Sequence, residues 1–185
     1  QCDRLVAAVG EETLAERTGL VADASHSAPK MMWIRDHEPP VWQRTATLAP
    51  VGSYLLHHLS GSHAQDAANA SSTMVYDVTR GDFDESLCAA ADLDPSMFAP
   101  VRPSTEVVGT LLPDIASEFG LPAGCAVVVG TGDEHAASVG AGAIEAGVVV
   151  DVTGTAEPVT TVSATPCAIR SASSRRTVTR YPAHG

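Results

Sequence analysis

Two short apolar runs, each closed by a glycine turn, constrain the fold of this chain more than any other feature. The first is Ala126-Val127-Val128-Val129, which leads into Gly130-Thr131-Gly132-Asp133 and then a small-residue helical stretch from Glu134 to Ala143. The second is Val148-Val149-Val150-Asp151-Val152, which leads into Thr153-Gly154-Thr155. Short apolar runs without alternation predict strands buried on both faces. Strand, glycine turn, helix, strand, glycine turn is the order of an α/β fold. Ligands in open α/β sheets sit beyond the carboxyl ends of the strands, so both glycine turns are candidate site segments.

Upstream, helical spacing dominates. Leu5, Val6, Val9, Leu14 and Leu20 recur at near-helical intervals and are punctuated by Gly10 and Gly19, which predicts one or two short helices closed at Thr18-Gly19. Residues 30–37 carry Met31, Trp33 and Ile34 and predict the start of a helix that stops before Pro39-Pro40. Residues 45–60 predict another helix, with Gly61 as its C-terminal stop. Residues 73–78 fit either a strand or a helix start, and residues 84–91 predict a short amphipathic helix. Three prolines punctuate the connection at positions 95, 100 and 103, after which a helix ends at Gly120.

Composition narrows the partners. Hydrophobic residues make up 44% and charged residues 18%, enough apolar material for a packed core. Acidic residues outnumber basic ones 22 to 11, and a net charge of -11 repels phosphate backbones and anionic lipid. Neither nucleic acid nor a membrane is therefore an expected partner. The four cysteines, Cys2, Cys88, Cys125 and Cys167, form no CxxC pair, which argues for buried thiols in a reducing cytoplasm and against a zinc or redox centre; no metal-ligating residue is assigned. No apolar run approaches the roughly 20 residues of a membrane span. The chain opens in a helical pattern without an initiator Met or a signal-peptide pattern, so further sequence upstream is expected. From Pro166 onward Arg170, Arg175, Arg176 and Arg180 occur with no acidic residue, and this tail is expected to be disordered or a reading-frame artefact.

Two constellations carry chemistry. Asp133 stands where a glycine turn opens a helix, and free N–H groups there favour its ionised form. A carboxylate so placed can take the proton of a hydroxyl that becomes a nucleophile. The same residue type is also a favoured helix N-cap, and the local pattern leaves both roles open. The turn Thr153-Gly154-Thr155 can offer backbone N–H groups and a hydroxyl to an anion, or be an ordinary turn. No GxxxxGK[ST] loop and no GxSxG elbow occur, which excludes a P-loop enzyme and a serine hydrolase of the elbow type. His57 and His58 are expected to face solvent or core, and His135, next to Asp133, receives no role.

The segment Ser25-His26-Ser27-Ala28-Pro29-Lys30-Met31-Met32-Trp33-Ile34-Arg35-Asp36-His37 resembles the first signature of the FGGY carbohydrate kinases. Three more blocks follow in the family's order. They are Leu59-Ser60-Gly61 with Asp66-Ala67-Ala68-Asn69-Ala70-Ser71; Thr105-Glu106-Val107-Val108-Gly109; and Gly130-Thr131-Gly132-Asp133 through Gly140-Ala141-Gly142 to Gly154-Thr155. The likeness covers about residues 1 to 160, and an unrelated α/β binding domain would have to match all four blocks by coincidence.

That resemblance implies an incomplete actin-like (ribonuclease H-like) ATPase fold. Residues 1–142 would be the later part of the first kinase domain, residues 143–164 the start of the second, and residues 165–185 the aberrant tail. It implies Asp133 as catalytic base, Asp133 and Glu134 beside the sugar hydroxyls, and Gly154 and Thr155 beside the phosphates of ATP, with Mg²⁺ as counter-ion. The partners are a small sugar and ATP, and a homodimer stays open. Block spacing is most similar to xylulose kinases, so a pentulose such as xylulose is the first expected substrate. Ribulose, erythritol and glycerol, or a catalytically inactive remnant, are the alternatives. These kinases also carry an Asp-Gly-Thr phosphate loop and an adenine site that the four blocks do not include. The chain by itself is therefore expected not to turn over ATP.

Overall fold

The computed structural model describes residues 1–153 and 159–163. Gly10, at φ 83°, breaks the first helical run into α1 (Cys2–Val9) and α2 (Glu11–Thr18), and Gly19 closes α2 in the left-handed conformation. The helix expected from residue 30 begins three residues earlier, as α3 (Ser27–His37), and Pro39-Pro40 opens the single turn α4 (Pro39–Trp42). Proline suits a first turn because its missing N–H has no intrahelical partner there. Residues 45–50 are not helical as expected. Leu48 is instead held by a backbone bridge to Phe98, and α5 (Val51–Ser60) starts after Pro50 and ends at left-handed Gly61.

Next come α6 (Ala67–Ser71), the hairpin of β1 (Tyr76–Asp77) with β2 (Asp82–Phe83), and α7 (Glu85–Ala91). The ambiguous stretch at residues 73–78 thus resolves as strand at its end. Asp84 caps α7 and accepts hydrogen bonds from the Ser86 and Leu87 amides. The proline-punctuated connection is fastened at two points: the Leu48 amide donates to Met97, and the Gln65 amide donates to Pro100.

Leu5, Leu14, Leu20, Met32, Tyr76, Leu87 and Cys88, each at most 2% exposed, form the main core between α1, α2, α3, α7 and the β1–β2 hairpin. Phe83 stacks on Phe98 with ring centroids 4.1 Å apart and meets Tyr76 edge-on at 5.6 Å. Aromatic pairs in such geometries add attraction beyond the area they bury.

The last part of the chain is built differently. β3 (Val107–Thr110) pairs antiparallel with β4 (Ala126–Val128), joined through α8 (Pro113–Glu118), and α9 (Asp133–Gly140) follows β4. β5 (Val149–Asp151) pairs antiparallel with β6 (Val159–Thr161). Both runs read as buried strands are strands, but neither is buried on both faces. Val127 is buried against Leu56 and Ala64, while Val128 is 48% exposed and Val149 63% exposed. The reason is layering: α5 covers one face of the β3–β4 pair, and among the described residues that second cluster contains only residues of α5, the β3–β4 pair and the loops beside them.

Candidate functional site at the start of helix α9

The turn between β4 and α9 is positioned from both sides. The Val129 amide donates to the Glu106 carbonyl at 3.0 Å and the Gly130 amide to the Ser104 carbonyl at 2.9 Å, which ties the end of the strand to the segment entering β3. Gly130 has φ +73°, a conformation in which a Cβ is strained, so glycine is required by backbone geometry. Gly132 then caps α9 in extended conformation, with its carbonyl accepting the Ala136 amide at 2.9 Å. A Cβ at Gly132 would approach His135 Nδ1 to 3.3 Å, tighter than an ordinary van der Waals contact.

Asp133 is therefore the first residue of the helix and not its cap. Its side chain is exposed, and Oδ1 accepts the Glu134 amide at 2.9 Å. Glu134 is also exposed, beside it in the first turn. Two carboxylates here meet the positive end of the helix dipole and the N–H groups that lack intrahelical acceptors. Both are open to a ligand approaching the turn, the arrangement a base acting on a bound alcohol needs.

The structure brings in one residue to which the sequence assigned no role. Thr131 Oγ donates to Asp66 Oδ2 at 2.6 Å across 65 positions of sequence. Asp66 is 4% exposed and caps α6, accepting the Ala68 amide, the Asn69 amide and Asn69 Nδ2. Asp is a favoured N-cap residue type, but nothing in the spacing announces Thr131 as its partner.

Past α9, buried Ser138 donates to the Thr160 hydroxyl at 3.1 Å, joining the helix to β6. The second candidate turn enters at Thr153, and Gly154 and Thr155 lie outside the described residues, as does the Arg-rich tail. The histidines give a cluster that was only half expected. His58 is exposed and meets Tyr54 at 4.3 Å, whereas half-buried His57 stacks on His63 at 4.0 Å. Stacked rings do not converge their nitrogens on one point, and no metal-binding group of three or more His, Cys, Asp or Glu gathers among the described residues.

In the Lys-x-x-Trp segment, α3 buries Ala28, Pro29 and Met32 and leaves Trp33 stacked on His37 at 4.8 Å. The Lys30 ammonium donates to the Ser25 carbonyl. Pro29, Lys30, Trp33 and Ile34 line a shallow hollow of about 450 Å³ with Gln1, Cys2 and Ala24; no residue of the 130–134 turn lines it.

Comparison with known proteins places this architecture among sugar kinases of the actin-like ATPase fold. A xylulose kinase from Rhodospirillum rubrum superposes with a TM-score of 0.84 at 30% identity, covering 91% of this chain and 35% of that one. The profile of the N-terminal domain of the FGGY family of carbohydrate kinases matches residues 1–140, and the chain belongs to that family. A glycerol kinase from Aromatoleum aromaticum is 35% identical over 162 residues, 83% of this chain and 31% of its own length. The xylulose kinase of Escherichia coli K12 is 31% identical over 146 residues, 79% of this chain and 30% of its own length. The chain thus spans about 31% of the length of the curated relatives it matches. Among the described residues no helix is long and apolar enough to cross a membrane.

Proposed function

We propose that this chain carries the base and part of the sugar-binding face of an ATP-dependent kinase for a pentulose such as xylulose, acting in the cytoplasm. The observation that carries the reading is the exposed Asp133 carboxylate at the first position of α9, on a glycine turn leaving a strand. The choice of a pentulose is supported by the fold likeness at 30% identity to the Rhodospirillum xylulose kinase. Glycerol kinases match the sequence about as well, so a polyol acceptor such as glycerol or erythritol, or ribulose, is the competing substrate class.

In this mechanism Asp133 accepts the proton of the sugar hydroxyl as its oxygen attacks the terminal phosphorus of ATP. Glu134, one residue on, hydrogen-bonds a neighbouring hydroxyl and holds the acceptor in line, which lowers the entropic part of the barrier. Gly154 and Thr155 are proposed to face the phosphates. Mg²⁺ would enter with the nucleotide phosphates and water, and no residue of the chain is assigned as its ligand. When bound, the metal would neutralise charge on the transferring phosphoryl group. Residues 1–142 are assigned to the first kinase domain and residues 143–164 to the start of the second, and the 185-residue chain alone is proposed not to turn over.

The test is Asp133→Asn in a complete kinase containing this chain, assayed by ADP release with D-xylulose, L-ribulose, erythritol and glycerol. Loss of a general base costs about 10²–10⁴-fold in rate, with ketose binding by calorimetry retained. Retained turnover removes Asp133 from the role, and a preference for glycerol over xylulose removes the pentulose assignment.

A further inference from the structure

We infer that Thr131 is a positioning residue, whose hydroxyl, through the buried Asp66 carboxylate, locks the turn that presents Asp133. The inference rests on the kinase reading only for the purpose of the lock; the lock itself stands on geometry.

Thr131 lies between two glycines, Gly130 and Gly132, so the backbone by itself defines the turn poorly. The main-chain tether from the strand ends with the Gly130 amide on Ser104, and the α9 ladder begins with the Gly132 carbonyl. The residue between those two anchors holds on by its side chain, at 2.6 Å to an ionisable oxygen that is almost wholly shielded from water. Hydrogen bonds to an ionised acceptor are short and about twice as strong as neutral ones.

Asp66 does not need Thr131 for its own local role. Both of its oxygens already accept amides of α6, and Asn69 Nδ2 adds a third donor. Helix α6 in turn is seated in the main core, with Ala70 and Ser71 fully buried. The bond therefore refers the position of the 130–134 turn to the rigid part of the molecule. A base must hold its geometry to a fraction of an ångström to be effective, and such a link is what would hold it.

The experiment uses the 185-residue chain without sugar or nucleotide. Amide hydrogen exchange is read residue by residue for Thr131→Val, which keeps the shape but removes the donor, and for Thr131→Ser, which restores it. The Gly130 and Ala136 amides, which donate to the Ser104 and Gly132 carbonyls on either side of Thr131, should exchange about tenfold faster in T131V and return to the parent rate in T131S, with the Leu87 and Cys88 amides of the core unchanged. Unchanged exchange at Gly130 and Ala136 in T131V, or failure of T131S to restore it, overturns the inference. If T131V loosens the core as well, Asp66→Asn decides, since it keeps a cap on α6 while removing the charged acceptor. It must raise exchange at Gly130 and Ala136 alone, and the inference falls if it does not. These outcomes are separate from the kinase reading: a faster-exchanging turn together with an active Asp133→Asn enzyme would keep the lock and discard the base.

Discussion

Asp84 offers the clearest quantitative test of how the core is held. Its carboxylate, 3% exposed, accepts the Ser86 amide at 2.8 Å, the Leu87 amide at 3.0 Å and the Ser86 hydroxyl at 2.6 Å, and it pairs with Arg17 at 2.8 Å. Replacing Asp84 with Ala removes the α7 cap and with it the acceptor of the buried Leu87 amide, which together cost about 2 kcal/mol. The Arg17 side chain is 41% exposed, so the ion pair itself adds well under ~1 kcal/mol. The expected loss is therefore about 2 kcal/mol, to be measured by urea unfolding followed by circular dichroism. Asp84→Asn keeps an acceptor for the amides and should cost about 1 kcal/mol.

The pH dependence has a definite sign. Burial alone would raise the Asp84 pKa, but the Ser86 hydroxyl, the Leu87 and Ser86 amides and Arg17 outweigh it and hold the carboxyl below its ordinary value. A depressed folded pKa contributes stability that is complete above the unfolded carboxyl's range, near 3.9, and is lost as the pH falls through the lower folded value. The gap between the parent and D84N should therefore be full near about pH 7 and should shrink on acidification below about pH 4. A D84A cost under ~1 kcal/mol, or a D84N gap that widens on acidification, would refute the reasoning.

Two further predictions follow from the same core. Leu87→Ala, at 0% exposure, should lower stability by about 2–5 kcal/mol in the same urea experiment, whereas a cost under ~1 kcal/mol would mean that the site collapses around the missing atoms. Burial, with the charges of Asp84, Asp94, Asp82 and Glu85 around it, pushes the Cys88 thiol up to about 12, so peptide mapping after alkylation near about pH 8 should show Cys88 modified at least ~100-fold more slowly than Cys125. Equal rates would contradict the buried placement.

Much of the helical half was legible in the sequence, because helix ends depend on local chemistry. Gly10, Gly19 and Gly61 mark breaks and stops that the structure adopts, and Asp84 to Ala91 forms the helix its pattern predicts. The four ordered blocks also pointed to the family that the profile over residues 1–140 shows. Local pattern misled at residues 45–50, where apolar spacing reads as helix but Leu48 gains more by pairing with Phe98.

What the chain determined by itself was the order of its elements, their stops, and the glycine turn that sets a carboxylate at a helix start. Those follow from backbone dihedral preferences and from side chains acting on neighbours within a turn or two. Only the folded molecule decided which faces of the two valine-rich strands are covered, since burial depends on which layer packs across them, and α5 reaches one face of β4 only. It alone also decided that Thr131 meets Asp66. A hydrogen bond across 65 residues is fixed by where the core seats α6 and where β4 delivers the turn, and no local pattern encodes that distance.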